Sequence, residues 1–467
     1  MINKKIKANK DFFTRELSKI FLPVIIRQIV SCTPKHRRTG MMMALMPVMS
    51  LYANRLRLKY VMDSGKLTAP TLQCYVYGPS GVGKGKVDEF QTFLTEKITL
   101  LDQKERAVEE EFLKKKRESP KKTATQPDTV VMIFPEKSTS FMLVQRGLAA
   151  MRRFNGETLL TYQFSAELKS IMSAHKADYI DIDSLLCKAY DLGALTGAET
   201  GNMDASRGMV DINMNILYCA TEGILYKFFA GDSLTSGTLN RAVLIPFNGK
   251  RGEYQELSNE DKSLINSYLD IMLDNIFDKD GTLKPTFLLD TSFLDTHIKK
   301  FLNKIEIITD DPFTKAAETI YEFSSRASVS AFRIAVLCLY LYRLEQQHNT
   351  GANLSDDMVE QYVCCIYNFA VYYILHNTLD RFGRKHNDVL LNNKAIQAFE
   401  NEYSNTGIYD LLDYEFTYQD LVDLIITKKQ TTDPKNRISK WKSSNMIIET
   451  SPGHYEKCVE YLQDDQL

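Results

Sequence analysis

The pattern of apolar and polar positions divides the chain into a central region of short apolar runs and flanking regions with helical periodicity. Apolar residues recur at helical spacing through residues 10–65 and again from about 255 to 385. Continuous apolar runs, typical of buried strands in a parallel sheet, lie at residues 70–77, 129–134, 156–167, 213–221 and 237–246. Helical segments separate these runs, so their order predicts an α/β core with a mostly parallel sheet over about residues 68–250.

The last part of the chain follows a different pattern of helix, helix and hairpin, which is the layout of a winged helix. Residues 418–428 and 435–445 have helical spacing, and Ser451-Pro452-Gly453 is a tight turn between two short strand patterns. The predicted domains are an N-terminal helical region at 1–67, a core at 68–252 with a long charged helical insertion at 87–125, a helical domain at 253–390 and a winged-helix domain at 391–467.

A glycine-rich motif, Gly78-Pro79-Ser80-Gly81-Val82-Gly83-Lys84-Gly85, follows the first apolar run of the core and precedes a helical pattern that begins near Lys86. Backbone N–H groups at such glycines converge on an anion, and the helix N-terminus adds partial positive charge. Strand, loop and helix in this order predict a P-loop that binds ATP, with Lys84 on the β- and γ-phosphates. The alternative is a glycine-rich hairpin with an incidental lysine. The residues expected at the nucleotide are Gly78, Ser80, Gly81, Gly83, Lys84, Gly85 and Lys86.

The predicted handling of Mg²⁺ departs from the usual P-loop pattern at two positions. Gly85 stands where Ser or Thr would supply a hydroxyl ligand, and Ala166 stands where a strand-end Asp would order the metal. The adjacent Glu167 is the candidate to activate the attacking water; the alternative is a surface acid. Either phosphates and waters hold most of the Mg²⁺, or hydrolysis is slow. Asp181 or Asp183 could supply the acid, although nothing in their spacing demands it.

Three further polar residues are candidates for sensing the nucleotide. Thr221 ends a strand pattern, where it would sense the γ-phosphate or orient water; the alternative is a helix cap. Arg241 begins the last strand pattern and would project into a neighbouring subunit's nucleotide, as in ring-shaped ATPases; the alternative is a salt bridge. Arg333 lies in an apolar helical stretch, where it would pair with an acid or act as a second sensor.

The charge of the chain is balanced overall but uneven locally. The formal net charge is −1 over 467 residues, so any basic surface must be local. One basic patch comprises Lys428, Lys429, Lys435, Arg437, Lys440 and Lys442, with one acid, Asp433. Lys435, Arg437, Lys440 and Lys442 are therefore the candidates for contacting DNA phosphates; winged helices also bind proteins. A second basic cluster, residues 35–38, is either a solvated loop or a phosphate contact.

Cysteine usage and apolar-segment length indicate a cytoplasmic protein without membrane association. The eight cysteines show neither metal-type spacing nor a disulfide framework. No long apolar segment follows the polar first ten residues, and the run at 41–51 is too short to span a bilayer.

The chain resembles a domain family of unassigned function found on plasmids, prophages and integrative elements of Bacteroides and its relatives, whose members are described as primase-associated or helicase-like P-loop proteins. The resemblance covers most of the chain. It rests on Gly40 and Ser50 ahead of the loop, the Ser-Gly-Val-Gly-Lys-Gly loop, the long charged helix, the strand ending at Glu167, Cys-Ala-Thr ending at Thr221, Leu-Asn-Arg at 239–241 and Arg-Ile-Ala at 333–335. Ser165 and Ala166 depart from more acidic versions of the strand end.

The resemblance implies a RecA- or AAA-like ATPase that acts in replication or mobilisation of a mobile genetic element. The leading hypothesis is an ATP-driven, helicase-like DNA motor that forms a homo-oligomeric ring, for example a hexamer, and works with element-encoded proteins. The second hypothesis is a DNA-binding initiator or transposition regulator that nucleotide orders with little or no hydrolysis, as Gly85 and Ala166 suggest. A small-molecule kinase is a third reading, for which a basic C-terminal unit has no evident use.

Overall fold

The computed structural model describes most of the chain and divides it into two compact units, Met1–Asn387 and Asp388–Leu467. The first unit takes in the predicted regions 1–67 and 68–252 and nearly all of 253–390. The described residues are 10–63, 65–118, 127–175, 182–198, 208–234, 237–247, 253–310, 316–348, 354–388, 412, 415–427, 433–444 and 446–457.

Helices dominate the described residues. The strands are β1 (Leu56–Lys59), β2 (Leu67–Thr68), β3 (Gln73–Tyr77), β4 (Ile133–Phe134), β5 (Leu160–Ser165), β6 (Leu195–Ala198), β7 (Gly208–Asp211), β8 (Asn213–Ala220), β9 (Ala242–Pro246), β10 (Phe287–Leu288), β11 (Glu415–Thr417), β12 (Ile447–Ser451) and β13 (His454–Lys457). The α-helices are α1 (Lys10–Leu17), α2 (Val24–Ser31), α3 (Arg38–Tyr52), α4 (Gly85–Glu118), α5 (Ser140–Arg153), α6 (Leu168–His175), α7 (Ile182–Tyr190), α8 (Glu222–Phe228), α9 (Thr238–Arg241), α10 (Asn259–Asp274), α11 (Asp295–Thr309), α12 (Ala317–His348), α13 (Asp356–Thr378), α14 (Tyr418–Thr427) and α15 (Pro434–Ser443).

The core of the first unit is a five-stranded sheet in the order β4-β5-β8-β3-β9, with every neighbouring pair parallel. Strands β3 and β8 are buried at every position, as expected for strands covered on both faces. Helix α3 packs across β3, β5, β8 and β9 and beside α4, while α6 and α7 pack against β8. The predicted mostly parallel α/β core is therefore confirmed.

The sheet changes its winding direction after β3. The connection from β3 leads to the far edge strand β4, and the later connections return across the sheet to β9. Right-handed crossovers then place α4 on one face and the later connecting helices on the other. In such open sheets, ligands bind beyond the carboxyl ends of the strands where the direction changes. The carboxyl end of β3 lies at this point.

The register aligns the ends of three strands along this edge. Tyr77 pairs with Ala220 on one side and with Pro246 on the other, and Ser165 pairs with Tyr218. The segments that follow β3, β5 and β8 therefore leave the sheet at the same edge and at nearly the same level.

The helical spacing predicted for residues 10–65 ends earlier than expected. Helix α3 stops at Tyr52, and Leu56–Lys59 forms β1, which pairs with β10 and β2. Asn54 marks the change, because its side chain donates to the Leu160 carbonyl (2.9 Å) and accepts from the Leu160 N–H (3.2 Å). These bonds attach the end of α3 to β5.

Helix α12 is the longest element of the helical region, at 32 residues, and it packs against α13. Its length and composition would also allow it to cross a membrane, but 89% of its most apolar window is buried inside the protein. Core helices of soluble proteins pass the same test, so this is weak evidence for a membrane span.

The described residues of the second unit form two helices and an antiparallel sheet in the order β11-β13-β12. Helices α14 and α15 pack on the sheet around an apolar cluster that includes Phe416, Leu421, Ile438 and Trp441. Asp433 caps α15 by accepting from the Lys435 N–H at 3.0 Å. The predicted order of helix, helix and hairpin is present, with the additional strand β11.

Candidate functional site

The glycine loop, residues 78–84, leaves the carboxyl end of β3 and runs into α4. Gly81 and Gly83 have φ angles of 79° and 86°, in the left-handed region that favours glycine. The Lys84 Nζ donates to the carbonyls of Gly78 (2.7 Å) and Pro79 (2.9 Å). The lysine amine therefore lies within the curve of the glycine loop, and burial lowers its pKa.

The two sides of the glycine loop differ in packing. A Cβ on Gly78 would lie 2.2 Å from the Phe247 carbonyl oxygen, and one on Gly83 would lie 2.8 Å from the Arg37 Nη1. In contrast, a Cβ on Gly81 or Gly85 would meet no atom within 4 Å. The loop is therefore packed against other residues at Gly78 and Gly83, which we call its back, and open at Gly81 and Gly85. The missing hydroxyl at position 85 has no steric cause.

Arg37 is a residue of this site whose position the sequence did not predict. It ends the short 3₁₀ turn Lys35–Arg37 and is 2% exposed, although residues 35–38 were expected to be a solvated loop or a phosphate contact. Its Nη1 donates to the Tyr254 hydroxyl (3.3 Å) and its Nε to the His36 Nε2 (3.2 Å). No local signal marks Arg37, because Tyr254 and Gly83 are distant in sequence.

Glu167 lies at the same edge of the sheet as the glycine loop. Its side chain is exposed, and its backbone N–H donates to the Ser165 Oγ at 3.1 Å. One strand, β8, separates β5 from β3, which implies a lateral separation of about 10 Å at the usual strand spacing. The strand ends that lead to Glu167 and to the glycine loop are therefore about two strand spacings apart along the same edge.

Two further acids lie near this edge and were not among the predicted site residues. Glu136 follows β4, and its carboxylate accepts from the Ala166 N–H at 3.1 Å. Asp88 lies in the first turn of α4. Burial raises the pKa of the Cys219 thiol to about 12, Lys84 opposes this shift and Asp88 adds to it, so both side chains lie near the end of β8. The sequence could have indicated Glu136, because it is an acidic residue that closely follows the strand pattern of β4.

Asp183 was considered as an alternative acid in the sequence, and it is the second residue of α7. Its carboxylate accepts a hydrogen bond from the Ser233 hydroxyl. Asp181 lies outside the described residues.

Thr221 directly follows β8 and is exposed. It occupies the N-cap position of α8, and its carbonyl accepts from the Ile224 and Leu225 N–H groups at 3.1 and 3.0 Å. Its hydroxyl makes no capping hydrogen bond. The Thr221 carbonyl thus accepts the first hydrogen bonds of α8, while its hydroxyl does not cap the helix and lies at the edge that carries the glycine loop.

An arginine from the helical region reaches the same edge. Arg381 lies in the π-helical segment Leu379–Gly383 after α13 and donates to both carboxylate oxygens of Glu222, at 2.9 and 3.3 Å. Its Nε also donates to the Tyr77 hydroxyl at 3.0 Å. Tyr77 directly precedes the glycine loop and Glu222 directly follows Thr221. No sequence pattern marks Arg381 as a residue of this edge.

Arg241 and Arg333 lie at the opposite, amino edge of the sheet. The Arg241 Nη2 donates to Asp191 at 2.7 Å, which is the salt bridge considered as the alternative. The Arg333 Nη1 donates to the carbonyls of Thr71 (2.8 Å) and Tyr190 (3.0 Å), and its guanidinium lies 3.8 Å from the Tyr190 ring centre. Neither arginine faces the glycine loop of its own chain. Contact with a neighbouring subunit would require Arg241 to leave Asp191.

The candidate DNA-binding residues on α15 differ in exposure. Lys435 and Lys440 are exposed, whereas Arg437 is 4% exposed and lies on the buried face of the helix. Lys442 is ion-paired with Glu449 of the hairpin. The exposed face of α15 therefore presents two of the four predicted cations. Lys428 and Lys429 of the predicted patch lie outside the described residues.

Protein side chains alone do not form a metal site in the part of the chain that the structure describes. No group of three or more His, Cys, Asp or Glu residues there is arranged to hold an ion. Mg²⁺ does not need such a group, because it commonly keeps several waters and binds one or two carboxylates together with substrate phosphates.

Comparison with known proteins assigns no family to the chain. No protein-family model matches it, and no curated protein matches it at a significant level. What the glycine loop can bind follows from its geometry and chemistry.

Proposed function

We propose that the chain is a P-loop nucleoside-triphosphate-binding protein of the RecA/AAA-like class, with ATP bound at the glycine loop. The observation that carries this proposal is the position of the loop. It lies at the carboxyl end of a central parallel strand, encloses the Lys84 amine and leads into the N-terminus of a 34-residue helix. Convergent backbone N–H groups, a helix N-terminus and a lysine together suit a polyphosphate.

Glu167 and Thr221 are the residues that would act on the γ-phosphate. Both leave the sheet at the edge that carries the loop, and both are exposed there. Glu167 would accept a proton from the attacking water, and the Thr221 hydroxyl would orient that water or the phosphate. Mg²⁺ would be held mainly by phosphates and waters, with Asp88 or Glu136 as candidate carboxylate ligands.

The second unit would supply the DNA contact. Its helix, helix and hairpin layout suits a winged helix, and Lys435 and Lys440 on the exposed face of α15 would bind backbone phosphates. With the resemblance noted above, these features support a helicase-like, cytoplasmic ATPase without membrane association. It would form a homo-oligomeric ring and act with element-encoded proteins in replication or mobilisation of a mobile element.

Two positions favour a second candidate function, a DNA-binding initiator or transposition regulator that ATP orders with little or no turnover. Gly85 supplies no hydroxyl to the metal although a side chain would fit there. Ala166 supplies no carboxylate at the end of β5. In addition, Arg241 is engaged with Asp191. A site with these features would retain ATP binding and lose most of the rate enhancement that metal and arginine provide.

ATP binding and DNA-stimulated ATP hydrolysis, measured together, test both functions. Lys84→Ala should abolish binding, and Glu167→Gln should retain binding but lose hydrolysis. Lys115→Ala is the matched control, because Lys115 lies on the same helix α4 in an exposed pair with Glu111. Binding without turnover in the wild type would select the regulator. Wild-type affinity for ATP in Lys84→Ala would refute a nucleotide site at the loop.

A further inference from the structure

We infer that Arg37 forms a cationic back wall of the nucleotide site and positions the glycine loop for a polyphosphate. This inference rests on the proposed function, because it assigns a further residue to the same site. Arg37 lies outside the P-loop motif and comes from the N-terminal segment. It therefore makes that segment part of the nucleotide site.

The first observation is the close approach of Arg37 to Gly83, the residue before Lys84. A Cβ on Gly83 would lie 2.8 Å from the Arg37 Nη1 and 3.2 Å from the Tyr254 ring. The same nitrogen donates to the Tyr254 hydroxyl at 3.3 Å. A side chain at position 83 would displace this pair, so glycine is required by the contact as well as by its φ of 86°.

The second observation links Arg37 to the other end of the glycine loop. The Arg37 guanidinium lies 5.7 Å from the Phe247 ring centre, and the Phe247 carbonyl occupies the space where a Gly78 side chain would lie. The Phe247 N–H donates to the Tyr77 carbonyl at 2.7 Å. Arg37 thus contacts residues that fix both the beginning and the end of the loop.

The third observation is that the surrounding backbone holds Arg37 in place. The Gln255 N–H donates to the Cys32 carbonyl at 2.9 Å, which ties the segment carrying Tyr254 to the segment carrying Arg37. A Cβ on Gly40, in the first turn of α3, would lie 2.8 Å from Phe247. The guanidinium is therefore held among packed groups. It is 2% exposed and has little freedom to turn toward solvent.

A buried guanidinium at this place favours an anion in the loop. Desolvation strengthens the interaction of a buried charge with a nearby opposite charge. A triphosphate carries more negative charge than a diphosphate or a monophosphate, so the contribution of Arg37 should increase with the number of phosphates. Arg37 acts by positioning the loop and by its charge, behind the loop backbone.

Calorimetric titration of ATP, ADP and AMP into the full-length wild type, Arg37→Met and Arg37→Lys tests the inference. Arg37→Met keeps an unbranched aliphatic stem and removes the charge, and it should weaken ATP binding about tenfold to hundredfold, as for loss of one charged interaction. The loss should be smaller for ADP and smallest for AMP. Arg37→Lys should lose less ATP affinity than Arg37→Met, because it retains the charge but not the separate hydrogen bonds to His36 and Tyr254.

Arg38→Met is the matched control. The Arg38 Nε and Nη2 donate to the Thr33 and Ser31 carbonyls (3.1 and 3.2 Å). Its removal should leave the ratio of ATP to AMP affinity unchanged. Circular dichroism of each variant reports whether it is folded, and if Arg37→Met does not fold, Arg37→Gln is the neutral variant to compare with Arg37→Lys.

Two results would overturn the inference while leaving the proposed function intact. One is wild-type ATP affinity in Arg37→Met. The other is an equal loss in Arg37→Lys and Arg37→Met, which would mean that shape and not charge matters. Absence of ATP binding in the wild type is a different result, since it would refute the proposed function itself.

Discussion

Replacement of Glu345 by Gln tests how the N-terminal helices are held to the helical region. Glu345 lies on α12, is 4% exposed, and accepts a hydrogen bond from the Val24 N–H at the start of α2. Its Oε2 has no hydrogen-bond partner among the described residues. Burial raises the pKa of this carboxyl from 4.5 to about 7.

The sign and size of the effect follow from this shift. Between pH 4.5 and about 7 the folded state keeps a proton on Glu345 that the unfolded state has lost. The free energy of unfolding therefore falls as the pH rises through this range, and the loss is complete above pH 7. At about 1.4 kcal/mol per pKa unit, the loss amounts to about 3 kcal/mol. Gln remains neutral and can still accept from Val24, so the variant escapes this loss.

Urea unfolding of wild type and Glu345→Gln between pH 5 and 8 measures the difference. Far-UV circular dichroism is the suitable signal, because the single tryptophan, Trp441, lies in the second unit and reports on that unit. The stability of the variant relative to the wild type should rise by roughly 2 to 3 kcal/mol over this range, because part of the effect has already occurred at pH 5. Glu306→Gln, an exposed acid on α11, should show no such trend. A difference that stays within about 0.5 kcal/mol at all pH values would refute the reasoning.

Gly85→Ser should fold normally, because no atom lies within 4 Å of the new Cβ, and it should increase the Mg²⁺-dependent part of ATP affinity or turnover by roughly threefold to tenfold. An unchanged Mg²⁺ dependence, measured by titration at fixed ATP, would show that the metal does not approach position 85. Lys435→Ala combined with Lys440→Ala should reduce the slope of log K against log salt for DNA binding by about 2, one for each lost phosphate contact. Lys442→Ala should change that slope less, because its amine already pairs with Glu449; equal effects of all three substitutions would contradict the assignment of the exposed face.

The local pattern of residues in the sequence was sufficient to predict the core of the fold and the position of the glycine loop. Strands β3 and β8 are continuous apolar runs because both faces of the sheet are covered, and this leaves a signal in the sequence itself. The position of the loop between β3 and α4 follows from glycine and lysine at fixed spacing. Glu167 could be placed at the edge that carries the glycine loop because the carboxyl ends of parallel strands share one edge.

The partners of the arginines could not be predicted in the same way. Arg241 and Arg333 come together at the amino edge because α7, α9 and α12 meet there, and no local pattern encodes that meeting. Arg37 and Arg381 reach the carboxyl edge through contacts with residues far away in the chain. A guanidinium has a long, flexible stem, so its environment depends on tertiary packing and not on its sequence neighbours.

The position of α12 in the chain has a consequence for folding during synthesis. The helix is about 48 Å long at the standard rise per residue, and its most apolar window would aggregate if left exposed. Several of its docking partners, including Val24, Tyr60 and Tyr190, are translated before it. When this segment leaves the ribosome, part of the surface that shelters it has therefore already been made, whereas α13, which also packs against it, is translated afterwards. A circular permutant that moved residues 317–348 to the front would lose that order, and its yield of soluble protein would fall.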